Sequence, residues 1–185
     1  GGIGQQKLSE AHAAIVGCGA LGSTTAMSLT RAGIGRLTII DRDVPEWSNL
    51  PRQFLFTEKD VCDGLPKAII AEKRLKEIDR NVQVIPHVRD LSAHNISDLL
   101  SSVDVIVDGT DNFETRFLVN DFSCRENIPW VYGGVIGAEG RVMAVIPGTT
   151  ACLRCLIPEP PAPGSLPTCD TAGVLGAAVM VVGGV

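Results

Sequence analysis

The sequence predicts a doubly wound α/β fold: a mainly parallel sheet with helices on both faces and a last pair of strands suited to antiparallel pairing at one edge. Three observations carry this. Short, nearly continuous apolar segments alternate with amphipathic helical ones along most of the chain, the pattern of strands buried on both faces. The first apolar segment, "HAAIV", runs straight into a glycine-rich turn, Gly17-Cys18-Gly19-Ala20-Leu21-Gly22, that opens a helix. The second, "RLTIID", ends in an acid, Asp41.

The elements follow in order. "HAAIV" is the first strand, the helix that starts near Leu21 stops at Gly33, and "RLTIID" completes a βαβ unit. Past a polar loop, Pro66 stands where a first helical turn tolerates it. Ala68, Ala71, Leu75 and Ile78 then recur at helical spacing, with Glu72, Lys73, Lys76 and Glu77 around the other face, which predicts an amphipathic helix. A strand at "VQVI", a short helix through "ISDLL", the continuous apolar strand "VDVIVD" and a helix through "RFLVNDF" come next. "PWVYGG" and "RVMAVI", joined by "VIGAEG", are the two final strands, and "PEPPAPGSLP" reads as a loop or crossover.

At 185 residues, with 45% hydrophobic and 20% charged residues, the chain is long enough to bury a real core and fits one soluble globular domain. A net charge of -5 without a Lys/Arg block argues against nucleic acid or an anionic membrane as partner. The longest apolar stretch, "VLGAAVMVVGGV", is too short to span a bilayer and no signal peptide marks the start, so a cytoplasmic location is expected. Six cysteines scattered through an α/β pattern point to thiol, metal or catalytic chemistry more than to a disulfide framework. The chain opens inside "GGIGQQKL" and stops at Val185 within an apolar run, so the expectation is a single domain over residues 1–185, truncated at both ends.

Gly17, Gly19 and Gly22 form a G-x-G-x-x-G turn after a strand and before a helix, and Asp41 stands about 20 residues on, at the end of the next strand. That context makes the predicted fold Rossmann-like. The glycines let the backbone approach phosphate at the helix N-terminus, and the Asp41 carboxylate accepts hydrogen bonds from ribose hydroxyls. These contacts serve NAD and ATP alike. Close helix–strand packing is the rival use of the glycines, and Cys18 is a small space-filler.

After Asp41, "DRDVPEWSNLPRQ" departs from a dehydrogenase pattern and gathers Asp43, Ser48, Asn49, Arg52 and Gln53, with Lys67 at the start of the next helix. No G-x-x-x-x-G-K-[ST] motif is present, so Arg52 and Lys67 are the candidates to balance phosphate charge. "VDGTDNFETR" then sets Asp111 and Asn112 where a strand ends and a helix begins. Two roles compete there: a helix cap, or a carboxylate on the Mg²⁺ of a polyphosphate, since this cation takes one or two carboxylates plus phosphate oxygens.

"GCGALG", the strand-ending Asp41, "SNLPRQ", "LPK", "VDGTDNFETR", "CLRC" and "CDTAGVLG" resemble, in order and spacing, the ThiF/MoeB/HesA adenylyltransferases. These E1-like enzymes activate ubiquitin-like sulfur-carrier proteins in thiamin-thiazole or molybdopterin biosynthesis. The resemblance covers nearly the whole chain, and "SNLPRQ" and "DGTDN" are its most specific pieces. It implies an adenylation domain that uses ATP and Mg²⁺ to activate the C-terminal carboxylate of a small carrier ending in Gly-Gly. Carried over by position, it implies Asp41 at the ribose, Asn49, Arg52 and Lys67 at the phosphates, and Asp111 on magnesium, with Arg52, Lys67 and Asp111 acting in catalysis. Gly17, Gly19, Ala20, Gly22, Asp43, Ser48, Gln53 and Asn112 are further candidates for nucleotide contact. Two positions depart from the family: Ala20 stands where many members have glycine, and Pro51 replaces the usual glutamine, stiffening the loop while leaving Arg52 and Gln53 in register. Relatives of this kind are homodimers.

Cys152-Leu153-Arg154-Cys155 is half of a tetrahedral zinc site, a redox pair or two thiols, the redox use being disfavoured by its place after a late strand. The resemblance implies Zn²⁺ in the full-length protein, with Cys152 and Cys155 as half of its ligands. Cys169, in "TCDTAG", resembles the cysteine that some relatives link to the carrier, a structural cysteine being the alternative. Cys62, Cys124, His12, His87 and His94 show no partner spacing and are expected in the core or on the surface. Two rival functions stand beside the adenylyltransferase: an NAD-dependent oxidoreductase, which lacks a hydride-relay residue here, and a noncatalytic nucleotide-binding scaffold.

Overall fold

The computed structural model describes residues 1–162 and 172–185. Its strands are β1 (His12–Val16), β2 (Arg36–Ile40), β3 (Gln83–His87), β4 (Val105–Asp108), β5 (Trp130–Ile136) and β6 (Glu139–Val145). They form one six-stranded sheet in the order β3-β2-β1-β4-β5-β6. All neighbours are parallel except β5 and β6, which pair antiparallel from Trp130 opposite Val145 to Ile136 opposite Glu139. The expected antiparallel edge is therefore present. Pro86 lies in β3, an edge strand, where its missing N–H costs the sheet no internal bond.

The helices are α1 (Gly2–Glu10), α2 (Ala20–Ala32), α3 (Glu58–Asp63), α4 (Lys67–Ile78), α5 (Ile96–Leu100), α6 (Phe113–Glu126), α7 (Leu153–Leu156) and α8 (Gly176–Gly184). Side chains alternate across a strand, and β1 divides the core accordingly. Ala13 and Ile15 face a cluster built with Leu37 and Ile39 of β2 and with Ala68, Ala71 and Leu75 of α4. Ala14 and Val16 face the other cluster, with Ile106 of β4, Leu99 and Leu100 of α5 and Phe117 and Phe122 of α6. Helices thus cover both faces, and the stripe predicted for α4 is the one it buries. Leu75 is fully buried, and cutting it to Ala would cost about 2–5 kcal/mol.

Helix α2 ends at Gly33, whose φ of 90° is the left-handed conformation that closes a helix. Its small polar residues let α8 come close: Thr25 Oγ1 donates to the Gly183 carbonyl at 3.0 Å, and a Cβ on Gly183 would lie 2.9 Å from the Thr24 side chain. Among the described residues, four helices escape the sequence reading, each for a physical reason. Helix α1 buries no residue and so shows no apolar stripe. Helix α3 buries only Asp60 and α7 only Leu153, so neither shows an apolar period, although Thr57 and Asp60 form a capping box for α3. Helix α8 is apolar around its circumference, with Val179 buried against Leu21 and Val135.

Chain direction now locates the site. From β1 the chain moves outward to β2, whereas from β4 it moves the other way to β5, so the sheet's topological switch lies between β1 and β4. Ligands of open α/β sheets bind in the crevice outside the carboxyl ends of the strands at that point.

Candidate functional site

At the switch the turns after β1 and β4 interlock through glycines. Gly17 has φ 87°, its N–H donates to the Ile40 carbonyl at 2.8 Å, and a Cβ there would sit 2.7 Å from the Gly109 carbonyl oxygen. A Cβ on Gly109 or on Gly22 would collide with the Gly17 carbonyl oxygen. Gly22 thus serves close packing and, unlike Gly17, Gly19 and Ala20, does not line the cleft. Cys18 is fully buried, and burial followed by the nearby Asp41 charge pushes its thiol far above the usual range, as befits a space-filler.

The cleft outside these turns measures about 850 Å³, within the size range of small-ligand sites. Asp41 stands on its wall with Oδ2 accepting from the Cys18 N–H at 2.6 Å and Oδ1 from the Asp43 N–H at 2.8 Å. Burial pushes this carboxyl up, partly offset by those two N–H bonds and by Lys67. Each oxygen retains lone-pair capacity for a ligand hydroxyl.

Basic residues reach the same cleft from the β2–α4 connection. Lys67 lines it while only 5% exposed, with Nζ 3.4 Å from Asp43 Oδ2. Arg52 lines it too, its Nη1 donating to the Ser48 carbonyl at 2.7 Å. Gln53 is 5% exposed, and its Oε1 accepts no hydrogen bond among the described residues. Asn49 and Ser48 do not line the cleft. The Asn49 side chain accepts the Glu46 N–H at 3.1 Å and closes a reciprocal capping box with Glu46. Through that bond Asn49 shapes the turn that presents Arg52.

The segment from Asp108 to Arg116 divides its work between neighbours. Asn112 is the cap of α6, its Oδ1 accepting the Thr115 N–H at 2.8 Å. Asp111 is exposed at the cleft and makes no hydrogen bond or ion pair among the described residues. Such a carboxylate fits a cation that takes its other ligands from phosphate oxygens and water.

Two residues beside it carry no assignment from the sequence. Arg116 is 7% exposed and lines the cleft; its Nε donates to Asp108 Oδ2 at 2.8 Å, and its guanidinium lies 5.0 Å from the Tyr132 ring centre. Asp108 is 4% exposed, and burial pushes its carboxyl up against the opposing pull of Arg116 and Thr110. The signal was an acid at the end of a strand otherwise wholly apolar, a position that demands a partner.

Cys152 and Cys155 lie with their Sγ atoms 3.9 Å apart, close to the roughly 3.8 Å spanned by two thiolates on a tetrahedral centre with bonds of about 2.3 Å. The turn is held from α6: the Leu153 N–H donates to Asn120 Oδ1 at 2.8 Å, and Arg154 forks onto both Asp121 oxygens at 2.7 and 2.6 Å. Burial raises the Cys152 thiol, but hydrogen bonds from the Cys155 and Arg154 backbone outweigh it and hold the thiol below its usual value. Cys124 of α6, expected in the core or on the surface, lies near Cys152: partial burial first, and then the Cys152 charge, raise its thiol above the usual value. Among the described residues no group of three or more His, Cys, Asp or Glu side chains is arranged to hold a metal ion. Cys169 lies outside the described residues. Among the described residues, no helix is long and apolar enough to cross a membrane.

A family model described as the ThiF family matches residues 1–185. The chain is 50% identical over 182 residues to the sulfur carrier protein ThiS adenylyltransferase of Bacillus subtilis, covering 98% of this chain and 54% of that one. It is 41% identical over 186 residues to a sulfur carrier protein adenylyltransferase of Thermus thermophilus, covering 97% and 68%. Among solved structures, that of E. coli MccB with ATP superposes with a TM-score of 0.83 at 25% identity, over 97% of this chain and 54% of that one. The chain thus spans about half the length of the Bacillus relative.

Proposed function

The chain belongs to the ThiF family, and on that premise we propose that it is an ATP-dependent adenylyltransferase acting on a small ubiquitin-like sulfur-carrier protein ending in Gly-Gly. The observation that carries this is convergence: the Gly17–Gly19 turn, Asp41, Arg52, Lys67 and Asp111 all line one cleft at the switch point. Residues 1–185 would then be one adenylation domain.

In this reaction a terminal carboxylate oxygen of the carrier attacks the α-phosphorus of ATP, the bond to the β-phosphate oxygen breaks, and pyrophosphate leaves with that electron pair. The product is an acyl-adenylate. The attacking carboxylate is already ionised at neutral pH, so no general base is required and catalysis rests on positioning and electrostatics. Gly17 and Gly19 admit the phosphates to the N-terminus of α2, where N–H groups and the helix dipole favour an anion. Asp41 orients the ribose. Arg52 and Lys67 meet charge that grows on the phosphates, and Lys67 gains most from being screened from water. Mg²⁺ at Asp111 would supply further charge neutralisation. The cleft runs on past Gly134 to the β5–β6 hairpin, the side from which the carrier's tail would enter.

Cys152 and Cys155 would give half the ligands of a structural Zn²⁺. The working form is a cytoplasmic homodimer, and thiamin-thiazole or molybdopterin biosynthesis is the setting. Cys169 would take part after adenylation.

ATP–pyrophosphate exchange in the presence of candidate carriers tests the proposal. Exchange is expected with an intact Gly-Gly terminus and not when the terminal glycine is removed. Absence of exchange with every such carrier, in a protein that binds ATP, would overturn it.

A further inference from the structure

Among the described residues the carboxylate expected to meet the metal is held by no bond of its own, yet both flanking residues are locked. On one side Asn112 is fixed as the cap of α6. On the other, Thr110 is held at every polar atom. Its N–H and its hydroxyl donate to Asp108 Oδ1 at 2.9 and 2.7 Å, and its carbonyl accepts from Arg116 Nη2 at 2.7 Å. That carbonyl belongs to the Thr110–Asp111 peptide, so Arg116 fixes the plane from which Asp111 emerges. Arg116 is itself fixed by Asp108 Oδ2 at 2.8 Å and by the Gly133 carbonyl of β5 at 2.9 Å.

We infer that Asp108 is a positioning residue: acting through Thr110 and Arg116, it holds Asp111 where the cation of a nucleotide can be met without rearrangement. The inference rests on the Mg·ATP reading above and adds to it a residue that touches neither nucleotide nor metal. Its physical basis is that no bond to the Asp111 side chain is present among the described residues, so its orientation is inherited from its neighbours. A neutral group could not replace Asp108. An amide offers one acceptor oxygen, enough for Thr110, and turns donors toward Arg116, which would leave a guanidinium buried without its counter-charge. The pair also ties the loop to β5, so the two strands flanking this side of the cleft are set by the same contact.

Titration calorimetry of the full chain with ATP, at a series of Mg²⁺ concentrations, separates the inference from the reading on which it rests. Wild type is expected to bind ATP more tightly as Mg²⁺ rises; if it does not, the Mg·ATP reading fails. Given that response, Asp108→Asn is expected to need about 10-fold more Mg²⁺ for the same effect, the scale on which residues behind a metal ligand act. In the Asp111→Asn background the Asp108→Asn change should have no further effect on the Mg²⁺ response, because both act through one carboxylate. Additive losses, or an unaltered response in a folded Asp108→Asn protein, would overturn the inference while leaving nucleotide binding intact. Should Asp108→Asn not fold, Thr110→Val keeps the ion pair and removes the hydroxyl bond; it should shift the Mg²⁺ response in the same direction and speed hydrogen exchange of the Thr110 and Asp111 amides. Wild-type behaviour in both measurements would equally overturn it.

Discussion

Lys67 and Asp43 form a lopsided pair: the lysine side chain is 7% exposed, the aspartate 58%, and Nζ lies 3.4 Å from Oδ2. The long contact leaves the ammonium with donors to spare, and Asp43 can remain with water when an anion arrives. A buried cation whose ion-pair partner among the described residues faces solvent is well placed to exchange that partner for phosphate.

Lys67→Met and Arg52→Ala should therefore lower pyrophosphate exchange far more than ATP affinity, since their interactions strengthen as charge develops in the transition state. Exchange rates set beside calorimetric ATP affinities provide the check. Equal losses in both would make them binding residues alone.

The split between Asp111 and Asn112 predicts opposite phenotypes. Asn112→Ala should cost about 0.5–2 kcal/mol of stability through loss of the helix cap while leaving a Mg²⁺ response in ATP binding. Asp111→Asn should keep the fold and lose that response. Urea denaturation together with calorimetry decides between them, and interchanged outcomes would return Asp111 to a capping role.

Gly109→Ala should fail where Gly4→Ala succeeds. The first places a methyl group against the Gly17 carbonyl oxygen and the Gly22 backbone, whereas the second meets nothing within 4 Å. Overpacking against backbone costs about 1–3 kcal/mol or more, and here it also pushes apart the two turns that form the cleft. Melting temperature and ATP binding should fall together for Gly109→Ala and hold steady for Gly4→Ala.

His12 sets a pH dependence at the opposite end of the sheet. Its ring is 6% exposed, with Nε2 2.8 Å from Thr38 Oγ1, and burial, reinforced by Arg36, holds its pKa below the ordinary 6.5 against the pull of the Ser102 carbonyl and Asp104. The unfolded chain therefore takes up the proton first. The associated stability is present above pH 6.5 and is lost as the pH falls toward the folded-state value. The melting temperature should drop between about pH 7.5 and pH 5.5, less steeply in His12→Gln. Parallel slopes would show that His12 does not contribute; His87, also held low by burial and Arg89, supplies the remaining dependence.

The C-x-x-C turn distinguishes a buried bond from an exposed one. Asn120 is 1% exposed, and Asn120→Ala would leave the Leu153 N–H without its acceptor, a loss of about 1–3 kcal/mol. Arg154→Ala breaks a pair whose members are 44% and 48% exposed and screened by water, so it should cost less. Denaturant unfolding of both variants should rank them in that order. Cys155 should react faster with a thiol reagent in Asn120→Ala, and an unaltered rate would mean that the turn is held by other contacts.

Features that depend on neighbours along the chain are legible in the residues alone. The alternation of β1, α2 and β2, the apolar stripe of α4, the glycine turn with Asp41 beyond it, and the pairing of the last two strands all follow from periods and turn chemistry within a few residues. The sequence also brought Arg52, Lys67 and Asp111 forward as candidates, and they do share a cleft. Tertiary structure alone decided the rest, because those contacts join residues whose separation in sequence carries no period. The backbone at Asp111 and Asn112 gives both an equal claim to cap α6; the Thr115 N–H and the open cleft divide them. The capping box between Asn49 and Glu46 likewise shows only in the folded turn. Asp108 and Arg116 find each other because α6 folds back over the end of β4, and Gly133 joins them from the next strand. Cys124 meets Cys152 because Asn120 and Asp121, one turn earlier on α6, dock the segment that carries the cysteine pair. Local rules fix which way a side chain points along its own element, whereas the order of strands in the sheet fixes what it meets.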